Sequence, residues 1–386
     1  MSTRINFDSS ALSTGLSVAD VFADLEIKFI ANRKNLFNTA LKTDNFKQEC
    51  YAQFRAYQEA NNIAAKNSLN EVASLTGYEI GRTFSNGINT VDKAVNAFKQ
   101  QGFKPQKEPI DSRFITVAKV NFALSVVQMF AGITSYARQA ADKQLSYIVA
   151  QVNPEADNIK QEIDKVQSIM LFKGIAGKQQ ANGVEKSMTA ESEFIMRNQS
   201  QQALLTAQGQ RRAEYGLKYV RVSAHPSCCE LCIPWQGKLL IDDRYGGAVG
   251  DGKTPLLSTA INNGKGLFHW NCRHTLTEEV LGYDNAKRYD YDKASIKETA
   301  QRYAVEQQQR FNERQIRAYK QQAAGLMNET QKTLAEQKIS EWQARQRALR
   351  DISQEKGVPF YRQYAREQIG GKTQPNLPIY RIQYGY

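Results

Sequence analysis

Apolar residues recur at three-four spacing through most of this chain, which predicts helix after helix. From Ser17 to about Lys66, Val21, Leu25, Phe29 and Ile30 share one face, with Ser17 placed to cap and Asp20 in the first turn. The residues before Ser17 lack a period and are expected to form a flexible arm. Asn61-Asn62 is an expected break, followed by helical runs over Ser68–Phe84 and Val91–Gln101. Pro105 and Pro109 mark Gly102 to Pro109 as a linker. Helical patterns resume over 112–152 and 154–173, parted by Asn153-Pro154 with the proline at a first helical position. Gly174 to Gly183 reads as a polar, Gly-rich break, and Met188–Tyr215 as one more helix with Arg197, Gln201 and Gln208 on its polar side.

The texture then changes. Lys218-Tyr-Val-Arg-Val-Ser223 alternates with period two and predicts a strand, as does Lys238–Ile241. Tyr245 to Gly266 is rich in Gly, Asp, Asn and Ser and reads as a loop closed at its two ends. Helix is predicted again from Lys293 to about Lys356, along a narrow stripe of Ile316, Tyr319, Ala323, Leu326, Thr330 and Leu334 that Gly325 weakens or kinks. From Gly370 onward Pro375, Pro378 and three tyrosines give no period, and the segment reads as an extended tail that docks on a neighbour. The expected architecture is mainly α with a small β-containing, zinc-stapled insert and long C-terminal helices. Its expected domains are 1–185 helical, 186–290 central helix plus β/knuckle module, and 291–386 C-terminal Gln/Arg-rich helices and tail.

Composition changes this picture in two ways. A net charge of +12 and a pI of about 9.3 favour anionic partners, with plain solubility as the alternative. Met1 to Ser17 is polar, so no secretory signal is expected. The most apolar stretch, Phe114 to Tyr136, is interrupted by Lys119, Asn121 and Gln128, so it reads as a buried helix and no membrane segment is expected. Synthesis in the cytoplasm follows.

Four of the five cysteines (Cys228, Cys229, Cys232, Cys272) and all three histidines (His225, His269, His274) fall in one window of 50 residues. Cys229-x-x-Cys232 has the spacing that lets two thiolates grip one ion from a tight turn, and His269-x-x-Cys272 supplies a second pair. The expected cofactor is one structural zinc held by Cys229, Cys232, His269 and Cys272. His225, His274 and Cys228 are alternates, and only Cys232 and Cys272 belong to every set. Reduced thiols in a small core, or one disulfide, remain open. A zinc deaminase needs a Glu two residues after its His, which His225-Pro-Ser lacks. A nuclease of the HNH type fits better, but Asp242-Asp243 stands there without a neighbouring His. Glu191-Ser-Glu193 is similar to the Glu-x-Glu of ADP-ribosyltransferases yet lies in a helix, and no phosphate-binding loop of the P-loop type occurs.

Two blocks carry a family likeness. The first joins Val220-Arg-Val-Ser-Ala-His225, Trp235-Gln-Gly-Lys238 and Gly266 to His274 with its Trp270-Asn-Cys-Arg-His. The second is the helix with Tyr303, Gln307, Gln309, Arg310, Glu313, Arg314, Ile316, Arg317 and Lys320, followed by Leu349-Arg350-Asp351. Together they resemble the phage minor capsid protein 2 family over about residues 190–366. Where that family has Gly-Ala-Arg-Pro and then a His, this chain has Pro226 to Cys232. Cys232 falls at the position of the family's His, which favours His225, Cys232, Cys272 and His274. The His-x-x-Cys element is similar instead to the broader phage head morphogenesis family and favours the knuckle set. The resemblance implies a minor structural protein of a tailed-phage head, not an enzyme, made in the host cytoplasm and present in several copies inside the virion head near the portal. Its implied partners are portal and capsid proteins and, non-specifically, packaged DNA. The alternatives are an HNH-like nuclease and a DNA-binding accessory protein outside the virion.

On the Gln/Arg-rich helix, Arg310, Arg314 and Arg317 lie a turn apart and Lys320 follows. Glu306 and Glu313 are placed to pair with Arg310 and Arg317. These four basic residues are the candidate contact to DNA or to an acidic portal surface, and a solvated, salt-bridged face is the alternative.

Overall fold

The computed structural model describes residues 7–107, 113–224, 228–270, 272–284, 296–358, 360, 362 and 364–370. His225 and the terminal tail lie outside them. Helix α1 (Phe7–Ala40) runs straight through Ser17, which is therefore not at its start, and takes in most of the expected arm. The break comes instead at Leu41–Asn45, where the Asn45 side chain accepts from the Gln48 amide at 3.2 Å and opens α2 (Phe46–Gln100).

Helix α2 is continuous over 55 residues, about 80 Å, where the sequence suggested three pieces. Its buried line passes through small and polar residues: Asn61, Ala65, Ser68, Thr76 and Gly87. Two of them are buried for reasons visible in their neighbours. Asn61 accepts from Asn32 Nδ2 on α1 at 2.9 Å, and at Gly87 a methyl group would strike Ala207 of α5. The Asn61-Asn62 pair therefore serves a helix contact and does not end the helix.

Helices α3 (Arg113–Gln151) and α4 (Ile159–Lys173) follow, the latter capped by Asn158. Helix α3 lies antiparallel to α2, with Asn62 meeting Arg138 and Phe84 stacking edge-on to Phe122. It is long and apolar enough to cross a membrane by length and composition alone, and only 17% of its most apolar stretch is buried. Val126, Phe130, Ile133 and Ala137 enter the core while Val117, Val120 and Leu124 face solvent, so the helix expected to be buried is buried on one face only.

The Gly-rich break at 174–183 is the start of a hairpin. Strands β1 (Ala176–Gln179) and β2 (Glu185–Ser187) pair antiparallel, with Ala176 opposite Ser187, and Ser187 caps α5 (Met188–Tyr215). Buried Glu26 of α1 ties this corner down, accepting from the Ile175 amide and the Thr189 hydroxyl, each at 2.6 Å. Helix α5 packs on α1, α2 and α3 and shares their core through Met196, Ala203 and Ala207. Gly216, in the left-handed region at φ 72°, ends α5 and lets the Leu217 amide reach the Arg212 carbonyl at 2.9 Å.

Strands β3 (Tyr219–Val222), β4 (Leu239–Ile241) and β5 (Leu276–Glu279) form an antiparallel sheet in the order β4-β3-β5. The first two match the sequence reading; β5 does not alternate and was not foreseen. The intervening loop includes the short helix α6 (Leu257–Ile261). The sheet is bolted to α5 by Arg212, which is fully buried. Its guanidinium donates to Asp242 Oδ2 at 2.7 and 2.9 Å and to Glu278 Oε1 at 3.1 Å.

The C-terminal helices form a hairpin, α7 (Ile296–Gly325) and α8 (Glu329–Glu355), and not one kinked rod. Gly325 ends α7 against Leu171, where a Cβ would collide with the leucine side chain. Asp164 of α4 then accepts from the Met327 and Asn328 amides at 2.9 and 2.7 Å, and Asn328 caps α8. Asn312 donates to Gln346 at 2.9 Å and Phe311 meets Trp342 edge-on, which zips α7 to α8. Leu334, placed on the predicted stripe, is exposed because the turn resets the register.

Two predictions follow from these buried charges. Arg212→Ala would strand two carboxylates in the interior and should cost about 3–5 kcal/mol in equilibrium denaturation; a loss under about 1 kcal/mol would contradict the bolt. The Asp20 carboxyl is pushed up to about 6 by burial and then by Asp24 and Glu193. A folded-state value above the unfolded 3.8 means that the charged form costs stability; the cost is full above about 6, shrinks as pH falls below that and is gone only below 3.8. Asp20→Asn should therefore stabilise the protein near pH 8 by on the order of 1–2 kcal/mol, after discounting for the water that reaches the site, and by much less near pH 4. An equal gain at both pH values would show that the charge is not the cause.

Candidate metal centre

The cluster is assembled from two turns on opposite sides of the sheet's central strand. The first, Cys228 to Trp235, leads from β3 to β4. The Cys232 and Ile233 amides both donate to the Cys229 carbonyl at 3.1 Å, which folds the Cys-x-x-Cys into a tight turn. The second, Gly266 to His274, leads into β5. There the Cys272 amide donates to the His269 carbonyl at 2.9 Å, and Phe268 stands in the left-handed region at φ 59°. A bulky residue in that region costs free energy, and here it turns the chain so that His269 points back toward the first turn.

Side chains from the two turns converge. Cys229 Sγ lies 2.9 Å from His269 Nε2, Cys232 Sγ lies 3.6 Å from Cys272 Sγ, and Cys228 Sγ lies 3.6 Å from His274 Nε2. Cys272 Sγ is also 3.4 Å from His274 Nδ1. The donors form two groups whose ligand atoms fall within 4.8 Å of one another: Cys229, Cys232 and His269, and Cys232, Cys272 and His274. Thiolates and imidazoles 2.0–2.3 Å from a tetrahedral zinc stand about 3.4–3.8 Å apart; the separations of 3.4–3.6 Å fall in that range, while Cys229 and His269 at 2.9 Å stand at hydrogen-bond distance. Such a cluster can bind a metal ion. All four candidate knuckle residues are brought together, as are Cys228 and His274; His225 lies outside the described residues.

Much of the cluster is enclosed. Cys228, Cys232 and His274 are buried. The Cys232 thiol is pushed well above its ordinary value by hydrogen bonding with Cys228 and by burial, and that of Cys272 by its contact with Cys232 and by burial. Burial lowers the value for His269, which keeps it neutral and a ready ligand. Gln201 of α5 donates to the His274 carbonyl at 3.1 Å, and Trp270 packs on Phe194 of α5.

One side opens into a cleft of about 120 Å³ between the cluster and α7. Trp270, Arg273, Tyr303, Glu306, Gln307 and Arg310 complete its wall. Glu306 bridges Arg273 at 3.0 Å and Arg310 at 3.3 Å. The Glu306–Arg310 pair was legible from its spacing; that it closes over the cluster was not. Of the candidate basic contacts, Arg314 is exposed, while Arg310, Arg317 and Lys320 are partly buried. Lys320 donates to Gln368 at 3.3 Å, and burial lowers its pKa.

The acids of the nuclease alternative are committed elsewhere. Asp242 is held by Arg212, and Asp243 accepts from the Ser258 amide at 2.9 Å. Glu191 is buried against Lys178 and Lys186 of the hairpin, and Glu193 pairs with Arg197.

Fold and site together define a helical protein with a small β module whose two turns are closed by a Cys/His cluster. The model of the family "Phage minor capsid protein 2" matches residues 18–352, and the chain belongs to that family. It is thus a bacteriophage minor capsid protein, a structural class and a virion component. No curated protein and no solved structure matches the chain.

Proposed function

We propose that this protein is built into the phage head beside the portal, in several copies, and acts in head assembly and in packaging or delivery of DNA. The observation that carries the reading is the family match over nearly all of the described chain. Within it, the β module acts as a rigid block, with one zinc held by Cys229, Cys232, His269 and Cys272 closing the two turns. Bound zinc supplies no reaction here; four protein donors would leave it no open position for substrate. The α7/α8 hairpin presents Arg310, Arg314, Arg317 and Lys320 near this block, with Arg314 the most available. Contacts from such a face to packaged DNA or to acidic portal surfaces are sequence-independent and weaken with salt. The net charge of +12 supports an anionic environment.

Quantitative mass spectrometry of purified procapsids and virions tests the reading. The chain should be recovered with both, at a constant ratio of several copies per portal. Recovery only in the soluble fraction of the lysate would instead make it an accessory protein that never enters the particle.

A further inference from the structure

Six donors outnumber the places on one tetrahedral ion. An ion on Cys229, Cys232, His269 and Cys272 leaves Cys228 and His274 behind, each 3% exposed and 3.6 Å apart. Those two donors are not remote. His274 Nδ1 is 3.4 Å from Cys272 Sγ, and His274 forms a compact triad with Cys232 and Cys272. The two triads of the cluster therefore meet at Cys232, and Cys272 stands 3.6 Å from it. That separation is close to the edge of about 3.7 Å shared by two ZnS tetrahedra with bonds of about 2.3 Å. Two four-coordinate ions that share two bridging thiolates need six protein donors, four terminal and two bridging, which is the number found here.

We propose that the cluster holds two zinc ions, with the Cys232 and Cys272 thiolates bridging them. Cys229 and His269 complete the first ion, and Cys228 and His274 complete the second. The inference rests on the knuckle set binding the first ion. Charge favours the second. Four thiolates and two neutral imidazoles around two divalent cations sum to zero, with four protons released on binding. One ion with three thiolates leaves a net negative charge in a largely buried site, which is costly. His274 meets this site with both ring nitrogens: Nδ1 stands 3.4 Å from Cys272 Sγ, and Nε2 stands 3.6 Å from Cys228 Sγ and 3.3 Å from Gln236 Oε1. The ligand class is a thiophilic d¹⁰ divalent cation; a hard cation such as magnesium finds no oxygen donors among these six side chains.

The test is ion counting on the full-length, reduced protein. After chelator stripping, zinc is added back against a competing chromophoric chelator and the complex is weighed by native mass spectrometry. Two zinc ions per chain are expected, falling to one in Cys228→Ala and in His274→Ala. Cobalt titration of the unaltered chain guards against variants that fail to fold: thiolate-to-cobalt absorption should rise to two equivalents. Saturation at one equivalent, with the Cys228→Ala and His274→Ala counts also one, would overturn the second ion and leave the first. No bound metal would overturn both. Iron with acid-labile sulfide in the protein as isolated would overturn the zinc pair in favour of an iron–sulfur cluster.

Discussion

Closing the 36-residue loop between Cys232 and His269 is the constraint on which the β module depends. The loop brings a thin core of its own: Leu257, Ala260, Leu267 and Phe268 pack with Cys228 and Cys232. Its two ends, however, are irregular turns that meet through sulfur and imidazole. Beyond those turns lie β4 and β5, which pair with opposite edges of β3. Holding the ends of the loop together thus also holds β4 and β5 to one centre. A link that closes a loop of this length removes on the order of a few kcal/mol of unfolded-state freedom, provided the folded geometry is unstrained. Phe268 carries the strain that the geometry does require, at one residue beside the ligand it aims.

The module is fixed to the helical body by charge as much as by packing. Arg212 reaches from α5 to acids at the end of β4 and on β5, while inside the module Arg221 on β3 pairs with Glu279 on β5 at 3.1 Å. Such buried pairs are weak sources of net stability but punish any arrangement that separates them, so they specify one docking geometry. Gly209 on α5 completes the fit: a Cβ there would enter Tyr245 of the loop. Above this joint α7 lays Tyr303, Glu306 and Arg310 over the cluster, so the arm with the basic residues and the Cys/His block are one structural neighbourhood.

How much of this could be read from sequence depended on whether burial coincided with hydrophobicity. Helix α5 and strands β3 and β4 were legible because period and composition agreed. Helix α2 was not, since its buried face passes through Asn61, Ser68, Thr76 and Gly87, residues chosen for close helix contact and hydrogen bonding. Strand β5 was hidden by Glu278 and Glu279, which look solvent-facing until Arg212 and Arg221 are placed beside them. The turn between α7 and α8 was hidden as well, because Gly325 looked like a weak point in a helix when its role is close approach to Leu171. In the cluster, spacing alone brought these cysteines and histidines into view and left two overlapping ligand sets sharing Cys232 and Cys272. The structure brings Cys228, Cys229, Cys232, His269, Cys272 and His274 together, a result that spacing could not contain because it depends on how the two turns meet beyond the end of β3.

The central claim is that sulfur and imidazole close this module by holding metal. X-ray absorption at the zinc edge of the purified, full-length protein tests it most directly. The account predicts a shell averaging three sulfurs at about 2.3 Å and one nitrogen at about 2.0–2.1 Å per zinc, the same for one ion or for two. A shell dominated by oxygen and nitrogen, or protein that takes up no zinc at all, would contradict it.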